Sequence, residues 1–427
     1  MARSYSGRIV VSAIIDHLLL ISIVAPLVSV YWCGMFFLVD HYVFPKDYVT
    51  SIWFTCLFGF SAVFVCHVVH ERLTRLAQLT DALYNPLARF YSIILIIVIV
   101  FQWRGFWYIL DHYLGPGYIS GCACIAAGFF LVATSGCSKS ITGVVPFIFI
   151  ADDKTNYFIA LSKFSHLSSR SSVLHLVDHL YSVFYIQPSV IIVWRGVWHL
   201  QLQDYVIYPK DFLLSGTVTL GVGVVGAFLC YIIQWPLNSY VKRLPKISRF
   251  VVEQLWRIIV ATVAICYWRG SWQFWALAFK GDLFTMWFVT VTSAFLLCTF
   301  NCWSIATLRG VWVDDPLDSQ EDSILLDVHY CTEIVSTIEK EQMRKIRTME
   351  NETYPMSALD KSSANGDTSS LFLNHVSTAQ KFDYFRGSDE RQEQEPFALG
   401  LDTHNVMVTL GREFSFNSWG ESPESVI

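Results

Sequence analysis

Eight long apolar runs limit what this chain can fold into. A helix needs about 20 mostly apolar residues to cross the hydrocarbon core of a bilayer. The runs are centred near Ile23, Phe58, Ile96, Ala126, Phe184, Gly223, Val263 and Val289. The fourth is the weakest, because it is rich in small residues that suit tight helix packing. With 54% hydrophobic and only 15% charged residues, the chain is predicted to be an all-α polytopic membrane protein with eight transmembrane helices.

An internal repeat relates the two halves of the chain. The segment IDHLLLISIVAPLVSVYWCG starts at Ile15, and VDHLYSVFYIQPSVIIVWRG starts at Val177. Six residues match without a gap: Asp16, His17, Leu18, Pro26, Trp32 and Gly34 in the first, and Asp178, His179, Leu180, Pro188, Trp194 and Gly196 in the second. This agreement predicts a tandem duplication of a four-helix half.

The repeat sets the predicted organisation. We expect a first four-helix membrane repeat over residues 1–134, a cytoplasmic linker over 135–176, a second four-helix repeat over 177–312 and an acidic, largely disordered cytoplasmic tail over 313–427. A half with an even number of spans starts and ends on the same side of the membrane. The two halves are therefore parallel copies around an axis along the membrane normal. This predicts a pseudo-twofold, roughly pseudo-fourfold, bundle.

The distribution of charged residues predicts the orientation of the chain in the membrane. Residues 313–427 contain 22 acidic and 9 basic residues, a net charge of −13, whereas residues 1–312 carry +8. Lys and Arg are concentrated in the loops on the side of the N-terminus. Because cytoplasmic loops carry an excess of basic residues, both termini are predicted to lie in the cytoplasm.

A Trp-Arg-Gly phrase occurs three times near the ends of apolar runs. The copies, each with a second tryptophan, are Trp103, Arg104, Gly105 and Trp107; Trp194, Arg195, Gly196 and Trp198; and Trp268, Arg269, Gly270 and Trp272. A fourth copy, at Trp32, has Cys33 in place of the arginine. We expect the four phrases to lie at one level near the outer side of the membrane.

Two interpretations of the arginines remain open. A charge inside the membrane is costly unless it is paired, reaches water or faces the bundle interior. In the structural interpretation, the arginines reach the surface or pair with Asp40, Asp111 and Asp204, or with carbonyl groups, as clamps between hairpins. The spacing from each arginine to the next tryptophan also allows a guanidinium to meet an indole face. In the functional interpretation, the arginines line an outward-facing pocket for an anion or a lipid headgroup.

Two Asp-His pairs also fall within the repeat. Asp16-His17 and Asp178-His179 are predicted near the inner ends of the first and fifth spans. A carboxylate beside a histidine can relay protons in a transporter. More often such a pair marks the membrane interface, with Asp favoured at a helix start. His67 and His70, at the inner end of the second span, suggest no special role.

Other chemistry has little support in the sequence. No phosphate-binding loop, nucleotide fingerprint or zinc-ligand spacing is present. We therefore predict no catalytic residue, no cofactor, no metal site and no nucleic-acid partner. The loop from 135 to 178 is expected to lie on the membrane or to pack under the bundle.

The C-terminal part offers two predictions. Residues 327–347 show an amphipathic pattern that indicates a helix. The final residues, Ser425, Val426 and Ile427, fit a peptide that adds a strand to a PDZ domain, with the terminal carboxylate held by backbone donors.

The repeated Trp-Arg-Gly phrases, the eight spans and the sequence NCWSIATLRGVWVDDP after the last span resemble the fuseless family of invertebrate neuronal membrane proteins. The resemblance covers about residues 1–316. It implies a role at presynaptic terminals, where the protein would organise voltage-gated calcium channels and support neurotransmitter release. We therefore expect a non-enzymatic plasma-membrane protein that contacts membrane lipids and organises or traffics partners. The alternative is a transporter or a lipid- or anion-binding protein that uses the arginines.

Overall fold

The computed structural model describes residues 2–77, 81–152, 160–165, 171–202, 212–279, 281–307, 311–314 and 323–353. Its contacts divide the chain into two compact units. Of the described residues, 14–330 belong to the larger unit. Residues 2–13 and 331–353 belong to the smaller unit and are helical. The bundle and its sites described below lie in the larger unit.

The described chain is mostly helical. It begins with α1 (Ala2–Leu19), which continues through a π-helical turn at Leu20–Val24 into α2 (Ala25–Tyr42). The other helices in the described residues are α3 (Tyr48–Ala77), α4 (Asp81–Leu114), α5 (Tyr118–Thr134), α6 (Ser172–Tyr181), α7 (Gln187–Leu202), α8 (Phe212–Val241), α9 (Lys246–Phe279), α10 (Leu283–Thr299) and α11 (Tyr330–Thr353). A second π-helical turn, Ser182–Ile186, joins α6 to α7.

The apolar runs of the sequence form helices. Among the described residues, six helical stretches are long and apolar enough to cross a membrane: Val10–Tyr42, Tyr48–Leu76, Tyr84–Leu114, Ser172–Gln201, Phe212–Val241 and Lys246–Phe279. Helices α5 and α10 are also apolar but shorter, with 17 residues each. The predicted class, an all-α polytopic membrane protein, is confirmed.

Within the described residues, four helices form a closed inner ring, and each is backed by an outer helix. Around the ring, α2 contacts α4, α4 contacts α7, α7 contacts α9 and α9 contacts α2. The outer helices α3, α5, α8 and α10 pack along α4, α7, α9 and α2 respectively. Each inner helix carries one of the four phrases, which we call the Trp-Gly phrases because the copy at Trp32 has Cys33 in place of the arginine. The phrases therefore lie where an inner helix meets its outer neighbour.

The glycine of each phrase sets how closely these helices approach. A Cβ added at Gly105 would collide with the backbone of Cys56 in α3, and one at Gly270 with the backbone of Leu220 in α8. At Gly196 the added atom would lie 2.7 Å from the carbonyl oxygen of a glycine in α5. Small residues allow this close backbone approach, which strengthens helix association in membranes.

The two π-helical turns lie 162 positions apart, at Leu20–Val24 and Ser182–Ile186. Each ends two residues before a proline, Pro26 or Pro188. Proline has no N–H to donate to the preceding turn, so the helix widens locally instead of breaking. The repeated prolines thus reproduce the same local distortion in both halves.

Two short described segments, after α5 and after α10, fold back among the helices. They contain the 3-10 turns Ser138–Ile141 and Trp303–Ala306, which are 165 positions apart. The indole N–H of Trp32 donates to the carbonyl of Ala306 at 3.1 Å. The indole N–H of Trp194 donates to the carbonyl of Ile141 at 3.2 Å. Backbone from these two inserted turns therefore reaches the tryptophans of the inner ring.

The first inserted segment continues as buried chain. The indole of Trp268 donates to the carbonyl of Val145 at 2.7 Å. The next residues form strand β1 (Ile148–Phe149), which pairs in parallel with β2 (Asp327–Val328). Between residues 137 and 150 the side chains are mostly buried. The first described part of the predicted linker, 135–176, is therefore packed into the larger unit.

The tail prediction is partly testable. The amphipathic helix expected over residues 327–347 is present as α11, which starts three residues later because β2 precedes it. Disorder is expected beyond Met349, but residues 350–353 continue α11. The rest of that segment falls outside the described residues, as do Ser425, Val426 and Ile427.

The glycine contacts predict a large difference between two alanine variants. Gly105→Ala should lower the free energy of unfolding by about 1 to 3 kcal/mol, because the new methyl group forces α3 and α4 apart. Gly221→Ala in α8 is the matched control, since nothing among the described residues lies within 4 Å of its added Cβ. It should leave stability unchanged or raise it, because alanine favours helix. Thermal unfolding in detergent measures both, and equal effects would contradict the contact described above.

Candidate functional site

Arg104 of α4 is buried, with 3% of its surface exposed. Its Nε donates to Oδ1 of Asp40 in α2 at 2.7 Å. Its Nη1 and Nη2 donate to the hydroxyls of Thr55, at 3.1 Å, and Ser51, at 2.9 Å, both in α3. One guanidinium therefore holds an inner helix to the outer helix behind it and to the preceding inner helix.

Arg195 of α7 repeats this arrangement. Its Nε donates to Oδ1 of Asp111 in α4 at 2.8 Å. Its other nitrogens donate to the hydroxyl of Ser120 in α5, at 2.9 Å, and to the carbonyl of Gly115, at 2.6 Å. Nε2 of His199 lies 2.8 Å from the same Asp111 oxygen. The side chains of Arg195, Asp111 and His199 are all at most 2% exposed.

Arg269 of α9 has the same hydroxyl partners one repeat later. It donates to the hydroxyl of Ser215 at 2.7 Å and to that of Thr219 at 3.4 Å, both in α8. These residues lie 164 positions after the hydroxyl pair that binds Arg104. Asp204, which the sequence also suggested as an arginine partner, lies outside the described residues. Each arginine thus meets hydroxyl groups on the outer helix that backs it.

The arginine contacts favour the structural interpretation of the phrase. Arginine is well suited to such a position, because its planar fork donates several hydrogen bonds in fixed directions and it is more weakly hydrated than lysine. Buried ionised groups are tolerated when they are paired and hydrogen-bonded. In the described residues, Arg104, Arg195 and Arg269 face neighbouring helices and are at most 3% exposed.

The fourth phrase differs chemically. Cys33 occupies the arginine position and is fully buried. Its neighbour Gly34 still marks the close approach, since an added Cβ would collide with the side chain of Thr290 in α10. The helix contact is thus kept where the guanidinium is not, so the arrangement of arginines around the ring is not fourfold.

The second aromatic residue of each phrase packs toward the other inner helices. Trp107 and Trp198 meet edge to face, with ring centres 6.0 Å apart. Phe36 and Trp272 form a similar pair at 5.7 Å. All four side chains are fully buried. These contacts join the phrases of α4 and α7 in one pair and those of α2 and α9 in another.

Arg104 stacks on a different aromatic ring from the tryptophan that the sequence spacing suggested. Its guanidinium carbon lies 5.0 Å from the ring centre of Tyr108, four residues later. Trp107, three residues later, packs against Trp198 of α7 instead. The stacking partner is therefore a phenol one position beyond the indole that the sequence indicated.

The Asp-His pair at residues 178 and 179 is buried and its members face different partners. Oδ1 of Asp178 accepts a hydrogen bond from the amide of Phe164 at 2.8 Å, and Oδ2 accepts one from the hydroxyl of Ser162. The ring of His179 lies 4.4 Å from that of His175. The carboxylate thus holds a connecting segment, while the imidazole joins a group of histidines.

The corresponding pair in the first half, Asp16 and His17, is also mostly buried. Asp16 has no exposed surface. The ring of His17 lies 3.8 Å from that of Tyr231 in α8. The two Asp-His pairs therefore occupy similar positions but have different ring neighbours.

Two aspartates that the sequence analysis did not select cap the inserted turns. Asp152, from the first half, accepts from the amide of Ser304 in the second inserted turn at 2.9 Å. Asp314, from the second half, accepts from the amide of Lys139 in the first inserted turn at 2.8 Å. Each half therefore supplies the cap for the turn of the other half.

Both capping carboxylates are also paired with arginines. Arg89 of α4 lies 2.9 Å from Asp152, and Arg257 of α9 lies 3.0 Å from Asp314. A signal for this exchange was present in the sequence. Each aspartate begins an Asp-Asp dipeptide, and the two dipeptides are 162 positions apart, the offset of the repeat.

The family model described as Fuseless matches residues 11–302 and 173–340. The chain belongs to the Fuseless family. The resemblance seen in the sequence is thereby confirmed, and the second match begins 162 residues after the first, the offset of the repeated segments. No curated protein and no solved structure matches the chain. Its apolar helices and its membership of the Fuseless family identify it as a multi-pass membrane protein.

The ion pair between α4 and α7 gives a stability prediction for this Fuseless-family chain. Arg195→Met should destabilise the fold by about 3 to 5 kcal/mol, because Asp111 would keep its buried charge without the guanidinium. The control is Arg75→Met, whose side chain is 73% exposed and lies 3.9 Å from Glu71. Such surface pairs contribute little. Unfolding in detergent measures the loss of stability in both variants. A loss in Arg195→Met as small as that in Arg75→Met would show that the buried pair is dispensable.

Because each aspartate caps the turn of the other half, its removal should change amide hydrogen exchange in that other half. Asp314→Ala should speed amide exchange at the first inserted turn, residues 138–141, because Lys139 loses its acceptor. Asp152→Ala should speed exchange at residues 303–306 instead. Mass spectrometry of the two variants measures both turns, and each variant is the control for the other. Faster exchange confined to the half that carries the substitution would refute reciprocal capping.

Proposed function

We propose that this Fuseless-family member is a non-enzymatic plasma-membrane protein of neurons that organises or traffics presynaptic partners and supports synaptic transmission. Voltage-gated calcium channels are the proposed partners, on the basis of family resemblance. The protein acts as a scaffold within the bilayer: its helices contact lipids and partner proteins, and its function uses no nucleic acid.

The proposed topology has eight spans in two parallel four-helix repeats. Helices α5 and α10 complete the set as short spans, because the chain turns into the bundle directly after each. Matching positions of π-helical turns, inserted turns and arginine contacts in the two halves support the duplication. Both termini then lie in the cytoplasm, and the Trp-Gly phrases lie toward the outer side.

The observation that carries this proposal is the use of the buried arginines and of two ring tryptophans for internal contacts. Arg104 and Arg195 donate to carboxylates and hydroxyls of adjacent helices. Backbone from the inserted turns reaches Trp32 and Trp194 in the inner ring. A transporter needs interior polar groups that a substrate can reach. The described interior instead favours a fixed platform that presents its outer surface to partners.

The alternative is a transporter or a lipid- or anion-binding protein that uses the arginine level. Buried arginines within membrane helices commonly mark such sites. Here the contacts of Arg104, Arg195 and Arg269 with neighbouring helices give this alternative less support.

The C-terminus supplies a proposed link to cytoplasmic scaffolds. Ser425, Val426 and Ile427 end the chain with a hydroxyl two residues before an apolar terminal residue. This pattern fits strand addition to a PDZ domain. The negatively charged tail would then connect the bundle to a presynaptic scaffold.

The proposal predicts partner capture without transport. Purified protein in proteoliposomes should give no more uptake of anions or lipid headgroup analogues than protein-free vesicles. Proximity labelling in neurons should mark calcium-channel subunits and PDZ scaffolds. Ser425→Ala should reduce scaffold labelling, because the residue loses the hydroxyl that the domain binds.

Ser422→Ala is the matched control, since it removes a hydroxyl three residues earlier and should leave the labelling unchanged. Uptake by wild-type protein that is lost in the Arg104→Ala and Arg195→Ala double variant, with folding intact, would support the transporter instead. Labelling that includes no channel subunit would refute the proposed partner.

A further inference from the structure

Four described histidines gather between α3 and α6. His67 and His70 lie on α3, and His175 and His179 lie on α6. The ring centre of His179 is 5.5 Å from that of His67, 5.5 Å from that of His70 and 4.4 Å from that of His175. The rings of His70 and His175 are 6.1 Å apart. We call these residues the histidine cluster.

Two members of the cluster have unsatisfied ring nitrogens. Both nitrogens of His67 and both of His179 have no hydrogen-bond partner among the described residues. The two residues are 0% and 1% exposed. Buried polar atoms in native proteins nearly always have a partner, so each exception calls for a water, an ion or a functional explanation.

The other half of the chain shows that the fold does not require these histidines. By the repeat offsets, His67, His70, His175 and His179 correspond to Tyr231, Gln234, Ala13 and His17. The hydroxyl of Tyr231 donates to a backbone carbonyl, and the Gln234 side chain bonds a backbone carbonyl and a backbone amide. Histidine thus occupies all four positions of one set and only one position of the related set. In the first set, the ring nitrogens of His67 and His179 have no hydrogen-bond partner among the described residues.

We infer that the histidine cluster binds a first-row transition-metal ion of the Zn²⁺ type. Histidines three or four residues apart share one face of a helix, and imidazole suits Zn, Cu, Fe and Ni. With Zn–N bonds of about 2.0 to 2.1 Å, two imidazole rings on one tetrahedral ion have centres about 5 Å apart. The four separations given above, of the six pairs in the cluster, run from 4.4 to 6.1 Å and bracket that value.

Binding requires the rings to turn. As the side chains stand, no group of three or more His, Cys, Asp or Glu residues among the described ones is arranged to hold an ion. Rotation about the side-chain bonds of His67 and His179 costs no hydrogen bond, because their ring nitrogens have none among the described residues. These two rings can therefore turn toward an ion without breaking a hydrogen bond within the described residues.

The remaining histidines are already oriented by the backbone. Nδ1 of His70 lies 2.5 Å from the carbonyl of His67, and Nε2 of His175 lies 3.4 Å from the carbonyl of Val68. Metal-binding histidines commonly use one nitrogen in this way and present the other to the ion. Nδ1 of His175 lies 3.8 Å from Glu71, which is 48% exposed.

A bound ion would join α3, from the first half, to α6, from the second. The test uses full-length protein in detergent, treated with a chelator and then titrated with Zn²⁺ alone. Wild type should bind about one ion per chain and melt at a higher temperature with Zn²⁺ than without it. The His67→Gln and His179→Gln double variant should lose more than tenfold in affinity.

His17→Gln is the matched control, because it changes the corresponding histidine of the first half and should bind Zn²⁺ like wild type. If the double variant does not fold, wild type loaded with Cu²⁺ supplies a second measurement. Its electron paramagnetic resonance spectrum should show coupling to several imidazole nitrogens. Failure of wild type to bind Zn²⁺ stoichiometrically, equal binding by the double variant, or a Cu²⁺ spectrum without imidazole coupling would overturn the inference. None of these results depends on the scaffold function.

Discussion

A guanidinium buried between apolar helices must be surrounded by acceptors, and this requirement determines how the helices of the bundle are joined. Ionised groups without partners are very costly away from water. The ion pair of Arg104 with Asp40 and that of Arg195 with Asp111 meet the requirement with a carboxylate from the preceding inner helix. Hydroxyls on the outer helix complete the coordination. The same interactions that make these charges tolerable also connect inner and outer layers.

The glycines and aromatic rings act with these ion pairs. Glycine brings an outer helix within reach of the arginine, and the aromatic residue on the next turn packs toward the other inner helices. One five-residue phrase therefore controls contacts on both sides of an inner helix. Its repetition builds the ring from similar parts. The replacement of one arginine by Cys33 shows that the aromatic and glycine contacts can be kept without the charge.

Much of the fold could be predicted from the sequence, because the length of each apolar run and the offset of the repeat can be read directly from the residues. They located the apolar helices, and Asp40 and Asp111 were recognised as possible arginine partners. The inserted turns were not predicted, because short buried segments without helical periodicity resemble ordinary loops. The histidine cluster was missed for another reason. Its members come from helices about 100 residues apart, so only the packing of α3 against α6 reveals their proximity.

The exchange of capping carboxylates also affects the order in which the protein can mature. Translation proceeds from the N-terminus, so the turn at residues 138–141 is made long before Asp314, which caps it. The cap on this turn therefore cannot form until most of the polypeptide has been synthesised. The two halves consequently complete their packing late and together. Neither half can fold fully first and then guide the folding of the other.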